Sequence, residues 1–147
     1  MLPTHQLELR DVRQIIAAAH TAAAAHADTT GSARVSIAIV DAGGHLLSFD
    51  RCDGASPASA ETAMAKARMA ALNGKATAPQ EQAINNERPA LAQLAGIFGQ
   101  PAVAMAGGIP LLHAGHCLGA IGVSGMTPET DLAIAEAGAA VLTTLTP

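Results

Sequence analysis

Tryptophan and tyrosine are missing from this chain, and phenylalanine occurs only as Phe49 and Phe98. Half of the residues are nevertheless hydrophobic, so the core must be aliphatic and rich in alanine. Each alanine buries little area but lets backbones approach closely. A core of that kind gains burial by association, and a homo-oligomer, at least a dimer, is expected. No aromatic residues are spaced to stack on bases, and no Lys/Arg stripe runs through a chain of net charge −4. Nucleic acid is therefore not an expected partner. No apolar run approaches the roughly 20 residues of a membrane span. The opening MLPTHQLELR lacks the apolar region of a signal peptide. These absences point to a cytoplasmic protein with no membrane contact, in which Cys52 and Cys117 are free thiols. No internal repeat or low-complexity linker divides the 147 residues, and a single domain over 1–147 is expected.

Helix and strand signals fill the chain. LELRDVRQIIAAAHTAAAAHA reads as a first helix with Leu9, Val12, Ile16, Ala19 and Ala23 on one stripe, poorly marked by caps at its start. RVSIAIVD alternates through Val35, Ile37 and Ile39, AGG turns the chain, and HLLSFDR returns as a second strand. Ser56 before Pro57 reads as an N-cap followed by the first helical position, and Gly74 as the terminator of that helix. APQEQAINNER is polar and ambiguous, while PALAQLAGIFG has room for a short helix. AVAMA, IPLLHA and CLGAIGVSG read as three strands separated by glycine. Thr127, Pro128 and Glu129 open a last helix that runs through DLAIAEAGAAVLTTL. Strands joined by such short turns are antiparallel. The layout is an α+β domain with helices packed on one five-stranded antiparallel sheet.

AGGIPLLHAGHCLGAIGVSG, at 106–125, crowds His113, His116 and Cys117 together. The two histidines face each other across a two-residue turn and could share one ion, but the spacing matches no common zinc signature. A plain hairpin accounts for them. No phosphate-binding glycine pattern stands in a strand–loop–helix setting. The alternating glycines suit close approach of a backbone or a ligand, and are expected to floor a cleft.

The segments VSIAIVDAGGHLLSFDRCDGASPASAETAMAKARMAA and AGGIPLLHAGHCLGAIGVSG together resemble the GlcG/HbpS-like family, also called the haem-degrading domain family. The same domain forms the C-terminal part of some corrinoid adenosyltransferases. The resemblance spans nearly the whole chain. Its most specific pieces are VDAGGHLLSFDR, the DGA that follows, Lys66 with Ala67, GGIP and GAIGVSG. The family usually carries methionine or another apolar residue where Cys52 stands. The resemblance implies a profilin-like α-β2-α2-β3-α fold with strand order 2-1-5-4-3, and it implies oligomers. Some members bind haem, and in some of these an axial histidine comes from the first helix. On this chain His20 is the candidate for that role, with His26 as an alternative and Arg10 or Arg13 near the propionates. The two histidines lie about 240° apart on a helix and cannot clamp one ion together.

Polar residues gather after the second strand. Arg51, Asp53, Glu61 and Lys66 could form an anion or carboxylate site. Arg51 would act as the fork, Lys66 as a point charge or base, and Asp53 as general base or loop holder. Equally, Asp53 could cap a turn and pair with Arg51 or Lys66. Gly122, Ser124 and Gly125 would border the cleft. Asp131 is expected to complement the last helix's dipole, and Met64, Met69 and Met105 to fill core gaps. Cys52 beside Arg51 is either a reactive thiol or a half-buried one in an apolar slot. Three functions compete: a haem or tetrapyrrole binder, an enzyme or sensor for a small organic acid using the Arg/Asp/Lys cleft, and a structural oligomer without its own ligand.

Overall fold

A computed structural model describes residues 1–2 and 4–144. Helix α1 spans Leu9–Ala24, strands β1 and β2 span Ser36–Asp41 and Leu46–Arg51, and α2 spans Pro57–Asn73. Helix α3 follows at Thr77–Asn86, then a 3₁₀ turn at Pro89–Gln93 and the single turn α4 at Leu94–Ile97. Strands β3 (Gly108–His113) and β4 (His116–Ser124) precede α5 (Pro128–Thr144). The last helix was expected to include Leu145, which lies outside the described residues.

Among the described residues the sheet is antiparallel with four strands in the order β2-β1-β4-β3. The expected five-stranded sheet of order 2-1-5-4-3 is thus corrected by one strand: AVAMA, at 102–106, does not join it. Its backbone bonds go elsewhere. Val103 N–H donates to the Ala65 carbonyl of α2 and Ala106 N–H to the Glu81 carboxylate, while the Thr77 hydroxyl donates to the Met105 carbonyl. An extended run that is satisfied by helices needs no strand partner. The ambiguous APQEQAINNER becomes α3, a helix that the sequence alone left open.

Caps behave as read. Ser56 accepts from Ser59 N–H, and Gly74 closes α2 in the left-handed conformation at φ 63°. The Thr127 hydroxyl accepts from Thr130 N–H at the start of α5. The start of α1, poorly marked in sequence, is held by the Asp11 carboxylate accepting from Glu8 N–H.

Both faces of the sheet are covered. On one face Ile37, Ile39, Ile121 and Val123 pack against Val12, Ile15 and Ala19 of α1 and Ile134 of α5. The buried α1 stripe therefore runs through Ile15; Ile16 is only half-buried and Leu9 is exposed. On the other face Ala38, Val40 and Ala120 meet Ala63, Ala67 and Ala70 of α2. Small side chains on both sides bring α2 close to the strands. At Gly122 a Cβ would collide with the Ala63 carbonyl. No helix among the described residues is long and apolar enough to cross a membrane.

Candidate functional site

A cleft of about 780 Å³ opens between the second half of α1, the 30–34 loop and the segment where β2 ends. The helix contributes His20, Ala23 and Ala24, and the strand end contributes Phe49 through Gly54. Local sequence explains the shape. Gly54, at φ 77°, turns the chain under Arg34. The Ser32 hydroxyl donates to the Asp53 carbonyl across 2.6 Å, and Cys52 N–H donates to the Val35 carbonyl. The two loops are thereby tied into one rim.

Inside the cleft, His20 Nε2 stands 2.7 Å from Asp50 Oδ2, and His20 Nδ1 stands 3.9 Å from Cys52 Sγ. The histidine side chain is 39% exposed, so it is steered by its neighbours yet open to solvent. Burial holds the Cys52 thiol above its ordinary range, and the charges of Asp50 and Asp53 add to the rise. A thiol so placed stays protonated at neutral pH. On the rim Arg34 pairs with Asp28 at 2.8 Å. The Asp28 carboxyl sits below its usual range, chiefly because it accepts from the Thr30 side chain and backbone, with Arg34 contributing. Arg51 makes no ion pair among the described residues.

The residues singled out from sequence divide into two groups. His20, Arg51 and Asp53 line this cleft together. Lys66, Glu61, Gly122, Ser124 and Gly125 do not. Lys66 is buried, donating to the Val123 carbonyl at 2.9 Å and to Asp131 Oδ2 at 3.1 Å. It is spoken for within the core and does not converge with Arg51. Asp131 also accepts from Met126 N–H, so it is a buried ion-pair partner and not merely a dipole-complementing residue. Glu61 is exposed on α2. Ser124 is buried at the end of β4. The space over Gly122 is filled by α2, and that over Gly125 by the Arg34 and Val35 backbone. These glycines allow backbones to meet; they do not floor a cleft.

His26 lies beyond the end of α1 and, like Arg10 and Arg13, takes no part in the cleft walls. His113 and His116 pair across a hairpin turn at Ala114 and Gly115, as the spacing implied. Sequence reasoning passed over Asp50 and Arg34. Asp50 stands opposite Ile37 in the β1–β2 register, on the sheet face that α1 covers, a placement that strand alternation alone does not give. Arg34 carried no local signal.

A model of the family described as haem degrading protein HbpS-like matches residues 7–140. GlcG of Escherichia coli strain K12 is 39% identical over 90 residues, which cover 61% of this chain and 63% of GlcG. The matched stretch is thus less than two thirds of that relative. A double mutant of Streptomyces reticuli HbpS has a similar structure, with TM-score 0.81 and 30% identity over 100% of this chain and 92% of that one. A PduOC:heme complex gives TM-score 0.79 and 28% identity over 93% of this chain and 95% of its own.

Proposed function

Because the chain belongs to the HbpS-like haem-degrading protein family, we propose that it binds haem or a related tetrapyrrole in the cleft beside α1, with His20 as the axial ligand. The observation that carries this reading is the His20–Asp50 contact of 2.7 Å. A metal-bound imidazole works best when a carboxylate holds its second ring nitrogen, which fixes the ring and raises its basicity. Asp50 takes Nε2 of His20, and Nδ1, which stands 3.9 Å from Cys52 Sγ, would be the nitrogen that meets iron. Arg51 and Arg34 supply guanidinium forks for propionates. Asp53 holds the loop through its carbonyl. Alanines 23, 24 and 33 offer a short apolar wall. Bound haem supplies the redox-active iron; the chain's own groups hold and orient it.

The cleft is open on one side, which supports a homo-oligomer. Ala17, Thr21 and Ala24 leave the exposed face of α1 small-sided, so a second copy could approach it closely and shield the ligand. Light scattering that reports a clean monomer at micromolar concentration overturns this part. A small organic acid would use Arg51 and Arg34 but would not need His20, and the two readings separate on that residue. Haemin titration is expected to yield a Soret band that His20→Ala abolishes or shifts, while Arg51→Leu weakens binding about tenfold. A folded His20→Ala variant with an unchanged spectrum refutes the assignment.

A further inference from the structure

A second pocket lies at the other end of β2, and it shares no wall with the haem cleft. It holds about 340 Å³ between Arg68 and Leu72 of α2, the β1–β2 turn at Gly43 and Gly44, and the segment of Ile97, Phe98 and Gln100. We propose that this pocket binds a small monocarboxylate with an apolar tail, and that Arg68 receives the carboxylate. Among the described residues, Arg68 is the one charged residue in its walls.

Arginine in a half-buried position normally meets a carboxylate. Arg68 meets none: it makes no ion pair among the described residues. Among the described residues its Nη1 reaches only the Pro101 carbonyl, at a long 3.4 Å. Its Nε–H is buried and has no acceptor among the described residues. A guanidinium presents five donors in a rigid fork that matches a carboxylate; here Nε–H is the donor left buried and unpaired among the described residues, which is costly. The stem is held in place. Gly44, at φ 82°, brings the turn so near that a Cβ there would stand 3.4 Å from Arg68 Cγ and 3.7 Å from Leu72.

The other walls select the rest of the ligand. Leu72 is 40% exposed and Ile97 75% exposed, two large apolar side chains left beside a single cation. A phosphate or dicarboxylate would find one positive group and apolar walls for its remaining charge. A monocarboxylate with a short chain or one ring satisfies both the fork and the walls. The volume lies at the lower end of the roughly 300–1,000 Å³ usual for small-molecule sites.

The test uses hexanoate on the whole chain, at fixed pH and at concentrations up to the millimolar range. Backbone amide NMR is expected to show saturable shifts at Gly43, Gly44, Leu72 and Gly99. Hexanamide, with the same tail and no charge, is expected to bind about tenfold more weakly or not at all. Arg68→Met is expected to reduce hexanoate affinity by a similar factor while the remaining spectrum is retained. The proposal is overturned if hexanoate produces no saturable shift, if its shifts centre on His20 and Arg51, if hexanamide binds equally well, or if a folded Arg68→Met variant keeps full affinity. The hexanamide comparison needs no variant, so misfolding of Arg68→Met does not decide the matter. Haem binding at His20 can fail or succeed without altering any of these outcomes.

Discussion

Lys66 and Asp131 meet at 3.1 Å with their side chains 3% and 4% exposed. The pair joins α2 to the first turn of α5, and the Lys66 ammonium also binds the Val123 carbonyl at the end of β4. Three elements are pinned at one point. Removing one partner of a buried pair strands the other charge, which costs about 3–5 kcal/mol. Lys66→Met is therefore expected to lower unfolding free energy by about 3 kcal/mol, measured by urea denaturation. Adding Asp131→Asn to that variant is expected to recover part of the loss, since the stranded carboxylate is gone. A loss below about 1 kcal/mol would match a solvent-exposed pair and would contradict the burial argument.

The limits of the sequence are plain at this pair. Lys66 looked like a cleft base because it follows a polar loop by a few positions. Its partner lies 65 residues further on, and nothing local links the two. By contrast, the ends of α2 and α5 were legible because capping is local chemistry: Ser56, Pro57, Gly74 and Thr127 act within a turn of themselves. AVAMA was misread for the opposite reason. Alternating small apolar residues look alike whether their backbone pairs with a strand or with the side chains and carbonyls of α2 and α3. Tandem Ile15 and Ile16 likewise left the helix stripe free to slip by one position.

The hairpin between β3 and β4 holds a residue in a costly conformation. Ala114 has φ 47° and Gly115 φ 79°, the two positive angles of a type I′ turn, in which asparagine followed by glycine is favoured. An L-residue with a Cβ and no local hydrogen bond costs about 1 kcal/mol there. The turn is exposed, so no packing is at stake. Ala114→Asn is expected to raise stability by up to about 1 kcal/mol, seen as a few degrees in the melting midpoint. Ala114→Val should lower it. Equal midpoints for all three would show that the turn relaxes in solution.

Part of the cleft lining was legible. His20 was named from sequence for one role and Arg51 and Asp53 for another, and all three line the same cleft. Asp50, which organises His20, and Arg34, which closes the rim, were not named. Their roles depend on β2 lying beside α1, a long-range arrangement that periodicity does not encode.

Cys52 provides the pH-dependent prediction. Its ionisation is pushed to higher pH in the folded chain, first by burial and then by Asp50 and Asp53. The folded state thus holds the thiol proton more tightly than the unfolded state does. The corresponding stability is fully present below the ordinary thiol range, near about 8.5, and is lost as pH rises through the folded value. Reactivity follows the same sign, because the thiolate is the nucleophile. In a Cys117→Ser background, iodoacetamide should alkylate native Cys52 with a midpoint pH above that of the same chain unfolded in urea. Asp50→Asn should lower that midpoint only in part, since burial is the larger cause. A native midpoint at or below the unfolded one would mean that His20, 3.9 Å from the sulfur, stabilises the thiolate strongly enough to outweigh burial.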